Sequence, residues 1–83
     1  MKRRIVNAAD IGQTVREARK EQGLTQKELS DVFSGFSREF LSDLENGKPS
    51  VQLDKALTVA HTLGLRLYLE ADSSPKSKEG ASS

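Results

Sequence analysis

The stretch that decides the fold runs Thr25-Gln26-Lys27-Glu28-Leu29-Ser30-Asp31-Val32-Phe33, then Ser34-Gly35-Phe36, then Ser37-Arg38-Glu39-Phe40-Leu41-Ser42-Asp43-Leu44-Glu45-Asn46. Thr25 followed three residues later by Glu28 is a capping box: the hydroxyl accepts from one orphan amide and the carboxylate reaches back to another. It opens a short helix whose apolar residues are Leu29, Val32 and Phe33. Ser34-Gly35-Phe36 breaks the pattern, and Gly35 suits a left-handed turn that other residues resist. Ser37 then caps a second short helix, Arg38 to Asn46, with Leu41 and Leu44 on its inner side. Gly47 closes that helix and Pro49 keeps it from resuming.

On the N-terminal side, Asn7 caps a helix with Asp10 three residues on, and Ile11, Val15 and Ala18 give it an apolar face that ends at Gly23. On the C-terminal side, a fourth helix is expected from about Leu53 to Leu63, burying Leu53, Leu57, Ala60 and Leu63 and stopping at Gly64. The period then changes. Leu65, Leu67 and Leu69 alternate with Arg66, Tyr68 and Glu70, the two-residue repeat of a strand. A lone strand leaves backbone donors and acceptors unpaired on both edges. Nothing else in the chain reads as a strand, so the simplest partner is the same strand of a second copy. The expected organisation is a basic arm over residues 1–7, a helical domain over 8–64, a dimerisation strand over 65–71 and a Ser-rich, disordered tail over 72–83. With the two-fold axis at Tyr68, Arg66 faces Glu70 of the mate; with the axis at Leu67, Leu65 faces Leu69. The sequence fits both registers.

Composition sets the limits. Eighty-three residues make one small domain, and the absence of cysteine removes disulfides and thiolate-held metals as reinforcement. Oligomerisation is a common remedy for so small a core. No apolar run approaches the ~18 residues of a membrane span, and no apolar stretch of signal-peptide length follows Lys2-Arg3-Arg4, so a cytoplasmic location is expected. Thirteen Lys and Arg against twelve Asp and Glu give a net charge of +1. Attraction to nucleic acid must therefore come from where charge is placed, not from its sum. No nucleophile–base pair or glycine-rich phosphate loop is present, and His61 is the only histidine, so an enzyme is not expected, nor a cofactor or metal.

Two short helices joined by a glycine-containing turn are a helix-turn-helix, whose second helix enters the DNA major groove while the first crosses the backbone. Gly23-Leu24-Thr25-Gln26-Lys27-Glu28-Leu29, together with Ser37 through Lys48, resembles the phage-repressor/Cro (XRE-type) family. The run Phe40 to Leu57, with a strand in place of a fifth helix, is similar to HipB-like antitoxins of type II toxin–antitoxin modules. The likeness spans roughly residues 9 to 70. It departs from the family in about one extra residue near Ser34-Gly35-Phe36, which shifts the second motif helix slightly.

The resemblance implies an all-α, four-helix, lambda-repressor-like domain with the strand paired across a homodimer. It implies a transcriptional repressor of a palindromic operator, autoregulating its operon and holding a HipA-like serine/threonine kinase toxin. The alternative is a stand-alone regulator. It places Thr25, Gln26 and Lys27 at the phosphate backbone, and Ser37, Arg38, Glu39, Ser42 and Asp43 toward the groove. Arg38 can bond a guanine edge with both arms, Glu39 can accept from a cytosine amine, and Asp43 can orient Arg38 or Arg-bearing neighbours. Asn46 and Lys48 fall in the loop that meets the sugar-phosphate backbone. Arg19 and Glu45 are implied as a buried, structural ion pair. Phe36 and Phe40, four apart, are expected to pack together, and Lys2, Arg3 and Arg4 form either an arm along DNA or a solvated start.

Overall fold

The computed structural model describes residues 2–32 and 35–71. Four helices follow one another: α1 (Ala8–Glu21), α2 (Gln26–Val32), α3 (Arg38–Glu45) and α4 (Leu53–Thr62). Their ends are set by local chemistry. The Asn7 side chain accepts from the Asp10 amide at 3.1 Å, and the Asp10 carboxylate accepts from the Asn7 amide, closing a reciprocal box. At α2 the Thr25 hydroxyl accepts from the Glu28 amide at 3.0 Å while Glu28 accepts from the Thr25 amide at 2.9 Å. At α3 the Ser37 hydroxyl accepts from the Phe40 amide at 3.0 Å.

The C-terminal end of α3 carries a Schellman turn. The Lys48 amide donates to the Asp43 carbonyl and the Gly47 amide to the Leu44 carbonyl, both at 3.0 Å. Gly47 has a φ of +74°, and a Cβ there would meet Ala9 at 2.6 Å, so both the turn and the approach of α1 require glycine. Asn46 and Leu63, expected as the last turns of α3 and α4, are their C-caps, a shift within ordinary end fraying.

The core comprises Val15, Ala18, Leu29, Leu41, Leu44, Ala56, Val59, Ala60 and Leu63, with Ile11, Leu24, Phe36, Phe40, Val51 and Leu65 packed around it. Three expectations change. Val32 is 63% exposed, because α2 is under two turns long and buries Leu29 alone of its residues. Phe33 and Ser34, and the extra residue inferred beside them, lie outside the described residues. Leu53 is 62% exposed and Leu57 only half-buried, while Ala56 and Val59 are buried instead. Apolar residues at 53, 56, 57, 59, 60 and 63 wrap more than one face of α4, so their spacing leaves its rotation open. The observed buried face carries Ala56, Val59 and Ala60. The tight break expected at Ser34-Gly35-Phe36 turns on Ser34, which lies outside the described residues.

Residues 65–71 carry no regular structure in the single chain, and no strand occurs among the described residues. Their base is fixed nonetheless: the Leu65 amide donates to the Ala60 carbonyl at 2.9 Å, and the Gln22 side chain donates to the Leu63 carbonyl at 2.6 Å. The expected tail, 72–83, lies outside the described residues. Among those residues no helix is long and apolar enough to cross a membrane.

Candidate DNA-binding surface

The helix pair is locked from beneath by one carboxylate. Arg19 of α1 donates to Glu45 of α3 through Nε at 2.6 Å and through Nη2 at 2.9 Å, and its third nitrogen reaches the Leu24 carbonyl at 2.7 Å. Both side chains are buried, at 9% and 3% exposure. The bond to Glu45 raises the Arg19 pKa further above its ordinary value despite the burial. Gln26, the first residue of α2, also donates to Glu45 Oε1, at 3.2 Å. One carboxylate thus ties together α1, the start of α2 and the end of α3.

With Leu41, Leu44 and Glu45 turned inward, helical geometry turns the remaining α3 residues out. Ser37, Arg38 and Glu39 are exposed at its N-terminal end, and Ser42 and Asp43 are half-exposed one turn further on. Phe36 and Phe40 stack with centroids 5.8 Å apart, and Lys55 of α4 sits 5.9 Å over the Phe40 ring. These contacts brace the N-terminal turn of α3 from the α4 side.

Charge on this surface is largely paired off. Lys27 bonds Asp31 at 3.0 Å, and Lys48 lies 3.7 Å from Asp43. Asp43 therefore sits beside the loop cation, and among the described residues no ion pair joins it to Arg38; the turn that bonds Lys48 to the Asp43 carbonyl brings those two together. Asn46 is exposed, with its amide 3.5 Å from the Ser42 hydroxyl. Thr25 is exposed, its hydroxyl engaged as the cap. Arg3 folds back on α1, bonding Glu17 at 2.5 and 3.0 Å, so this part of the basic start is not free. His61 is exposed on α4, and no group of metal-ligating side chains forms among the described residues.

Sequence reasoning missed Gly12. It is buried against the end of α3, and a Cβ there would stand 2.1 Å from the Leu44 carbonyl oxygen. Gly12 lets α1 lie directly on α3. The run Ala8-Ala9…Gly12 on one side of α1 is the signal that could have found it.

Two capped helices, a buried tie between them and an outward polar face on the second define a DNA-reading module. The helix-turn-helix family profile matches residues 15–69, which include all of α2, α3 and α4. The chain belongs to this XRE/Cro-type helix-turn-helix family, a family of DNA-binding transcriptional regulators and not of enzymes. It is 52% identical over 71 residues to an uncharacterised HTH-type transcriptional regulator, y4mF, of Sinorhizobium fredii, covering 86% of this chain and 92% of that one. It is 38% identical over 71 residues to a second such regulator of that organism, y4dJ, covering 78% and 87%. A 38-residue segment is 55% identical to the competence pilus inhibition repressor of Acinetobacter baylyi, covering 46% of this chain and 34% of the repressor. Among solved structures the fold is similar to the HipB–O4 20mer complex (TM-score 0.74, 22% identity, 88% of this chain and all of that chain). It is equally similar to a HipA–HipB–O2–O3 complex, with the same TM-score, identity and coverage.

Proposed function

We propose that this chain is a sequence-specific repressor of double-stranded DNA that works as a homodimer on a palindromic operator. As a HipB-like antitoxin it would also hold a HipA-like serine/threonine kinase and autoregulate its operon. The observation that carries the reading is the outward face of α3. Ser37, Arg38, Glu39, Ser42 and Asp43 stand proud of a rigid support made by Arg19–Glu45, Gln26 and the Phe36–Phe40 stack. Arg38 reads a base edge, while Thr25, Gln26, Lys27, Asn46 and Lys48 meet phosphates and fix register. Gln26 has one amide hydrogen on Glu45 and a second left for phosphate. Lys27 and Lys48 exchange an exposed carboxylate for a phosphate, and so small a surface pairing opposes this only weakly.

The dimer is proposed through Leu65, Arg66, Leu67, Tyr68, Leu69 and Glu70 as an antiparallel strand pair. Three facts support it. This segment leaves a fixed base at Ala60 and Leu63, Tyr68 is 81% exposed, and Leu69 is fully exposed. An exposed backbone with apolar side chains and no partner is what a second copy would cover. The two recognition helices would then meet half-sites about 34 Å apart. The arm, residues 1–7, and the tail, 72–83, flank this unit, which is placed in the cytoplasm on the nucleoid.

The toxin-holding role rests on the HipA–HipB fold neighbour. A stand-alone regulator is the second reading, favoured by the 52% identical relative, whose name gives a regulator alone. One gel-shift separates them: the chain on its own upstream DNA, with and without the product of the neighbouring gene. A shift by the chain alone that changes further with the kinase supports the antitoxin. A shift untouched by that product supports the stand-alone regulator, and no shift on any duplex overturns both.

A further inference from the structure

The recognition face poses an electrostatic problem. α3 presents Arg38 beside Glu39 and Asp43; Arg19 is committed to buried Glu45, Lys27 and Lys48 reach phosphate only by leaving Asp31 and Asp43, and Lys55 lies over the Phe40 ring. Affinity for DNA depends on cations that neutralise phosphates and release counterions. Carboxylates on and beside this face therefore offset part of the charge that binding needs.

The supply lies on α1. Gln13, Arg16, Glu17 and Lys20 recur at helical spacing along one side of α1 and line an open groove of about 460 Å³, closed at the α3 end by Glu45 and Asn46. Gln13, Arg16 and Lys20 are exposed, and among the described residues neither Arg16 nor Lys20 has an ion-pair partner. The two carboxylates of the groove are already used, Glu17 by Arg3 and Glu45 by Arg19. The bond from Arg3 holds the Glu17 pKa down, so that carboxylate stays ionised and paired. Glu21, also exposed, follows Lys20 by one position and is about 100° further round the helix. The groove thus has two uncommitted cations and two amides, and Asn46 joins it to the DNA face.

We infer that this α1–α3 groove is a second phosphate-binding surface, gripping the duplex backbone beyond the reach of the recognition helix. The inference rests on the DNA-binding reading above and deepens it. Base reading and phosphate attraction are divided between two helices: α3 selects and α1 holds. An acidic recognition helix then lowers affinity for unrelated sequence without lowering the total attraction below what a specific site needs.

The test is equilibrium binding of the full-length chain to its upstream duplex and to a scrambled duplex of equal length, as a function of salt. The variant is Arg16→Gln with Lys20→Gln, chosen because glutamine keeps helix propensity and both positions are exposed. The expected result is a slope of log K against log salt that is shallower by about 1.8 per protomer, the share of two phosphates. Affinity for both duplexes should fall together, leaving their ratio intact. Arg16→Lys with Lys20→Arg, which keeps the charge, should restore the wild-type slope. An unchanged slope in the glutamine variant, or a slope that falls equally in the charge-keeping variant, overturns the groove assignment while leaving DNA binding standing. Wild-type chain with no salt-dependent binding to any duplex overturns the DNA reading and this inference with it.

Discussion

Glu45 is the residue on which the reading module hangs. It is buried, it accepts from two of the three Arg19 nitrogens, and it accepts a bond from Gln26. Glu45→Ala leaves a buried guanidinium without its counter-charge, so we expect a loss on the order of 3–5 kcal/mol in urea unfolding. A loss below about 1 kcal/mol would mean that Arg19 finds water when its partner goes. Glu28 gives a pH-dependent prediction. Its bonds to the Thr25 backbone, and then to the Thr25 side chain, hold its carboxyl below the usual carboxylate range. Its contribution is therefore present above the unfolded value, near 4, and disappears as pH falls through the lower folded value. Wild type should be more stable than Glu28→Gln at pH 7, and the gap should close in acid. A gap that persists at pH 2 would show that the carboxylate charge is not what stabilises the cap. At Lys48, substitution by Ala should weaken operator and scrambled DNA alike, because phosphate contacts carry no sequence information.

Elements were legible where their ends are chemical. Asn7, Thr25 and Ser37 cap the first three helices as the sequence implies, since a side chain and an amide three residues away are local partners. Faces were less legible. Five apolar positions in α4, with Leu63 at its C-cap, are compatible with more than one rotation, and packing chose the side with Ala56 and Ala60. Gly12 went unread for a similar reason: Ala8, Ala9 and Gly12 mark a side of α1 open to close approach, but not which element approaches it. It yields a sharp prediction at this scale. A glycine to alanine change within a helix ordinarily stabilises by roughly 0.5–1 kcal/mol. Gly12→Ala should instead destabilise by about 1–3 kcal/mol, because the methyl would stand 2.1 Å from the rigid Leu44 carbonyl. Thermal unfolding of this one variant decides the sign. The outward side of α3 was legible from Leu41 and Leu44 alone, but the partner of Asp43 was not, since only the turn after Gly47 brings Lys48 to it.

For the whole molecule, the segment 65–71 carries the dimer proposal, because it has no regular structure in the single chain. On the proposed reading its alternation is a strand pattern that needs a neighbour, and the described residues of the single chain supply none. Deleting everything after Gly64 should give a monomer at micromolar concentration by sedimentation; a persistent dimer would place the interface elsewhere. That monomer should also bind operator far more weakly, since one half-site no longer assists the other. The central claim is that the N-terminal face of α3 lies in the major groove. Its most direct test is the ratio of affinities for the upstream operator and a scrambled duplex, measured at one salt concentration for wild type and Arg38→Ala. The account predicts a wild-type ratio of about 1,000 or more, with Arg38→Ala losing about 1–3 kcal/mol on the operator and little on the scrambled duplex. Equal losses on both duplexes, or no loss on either, would contradict it.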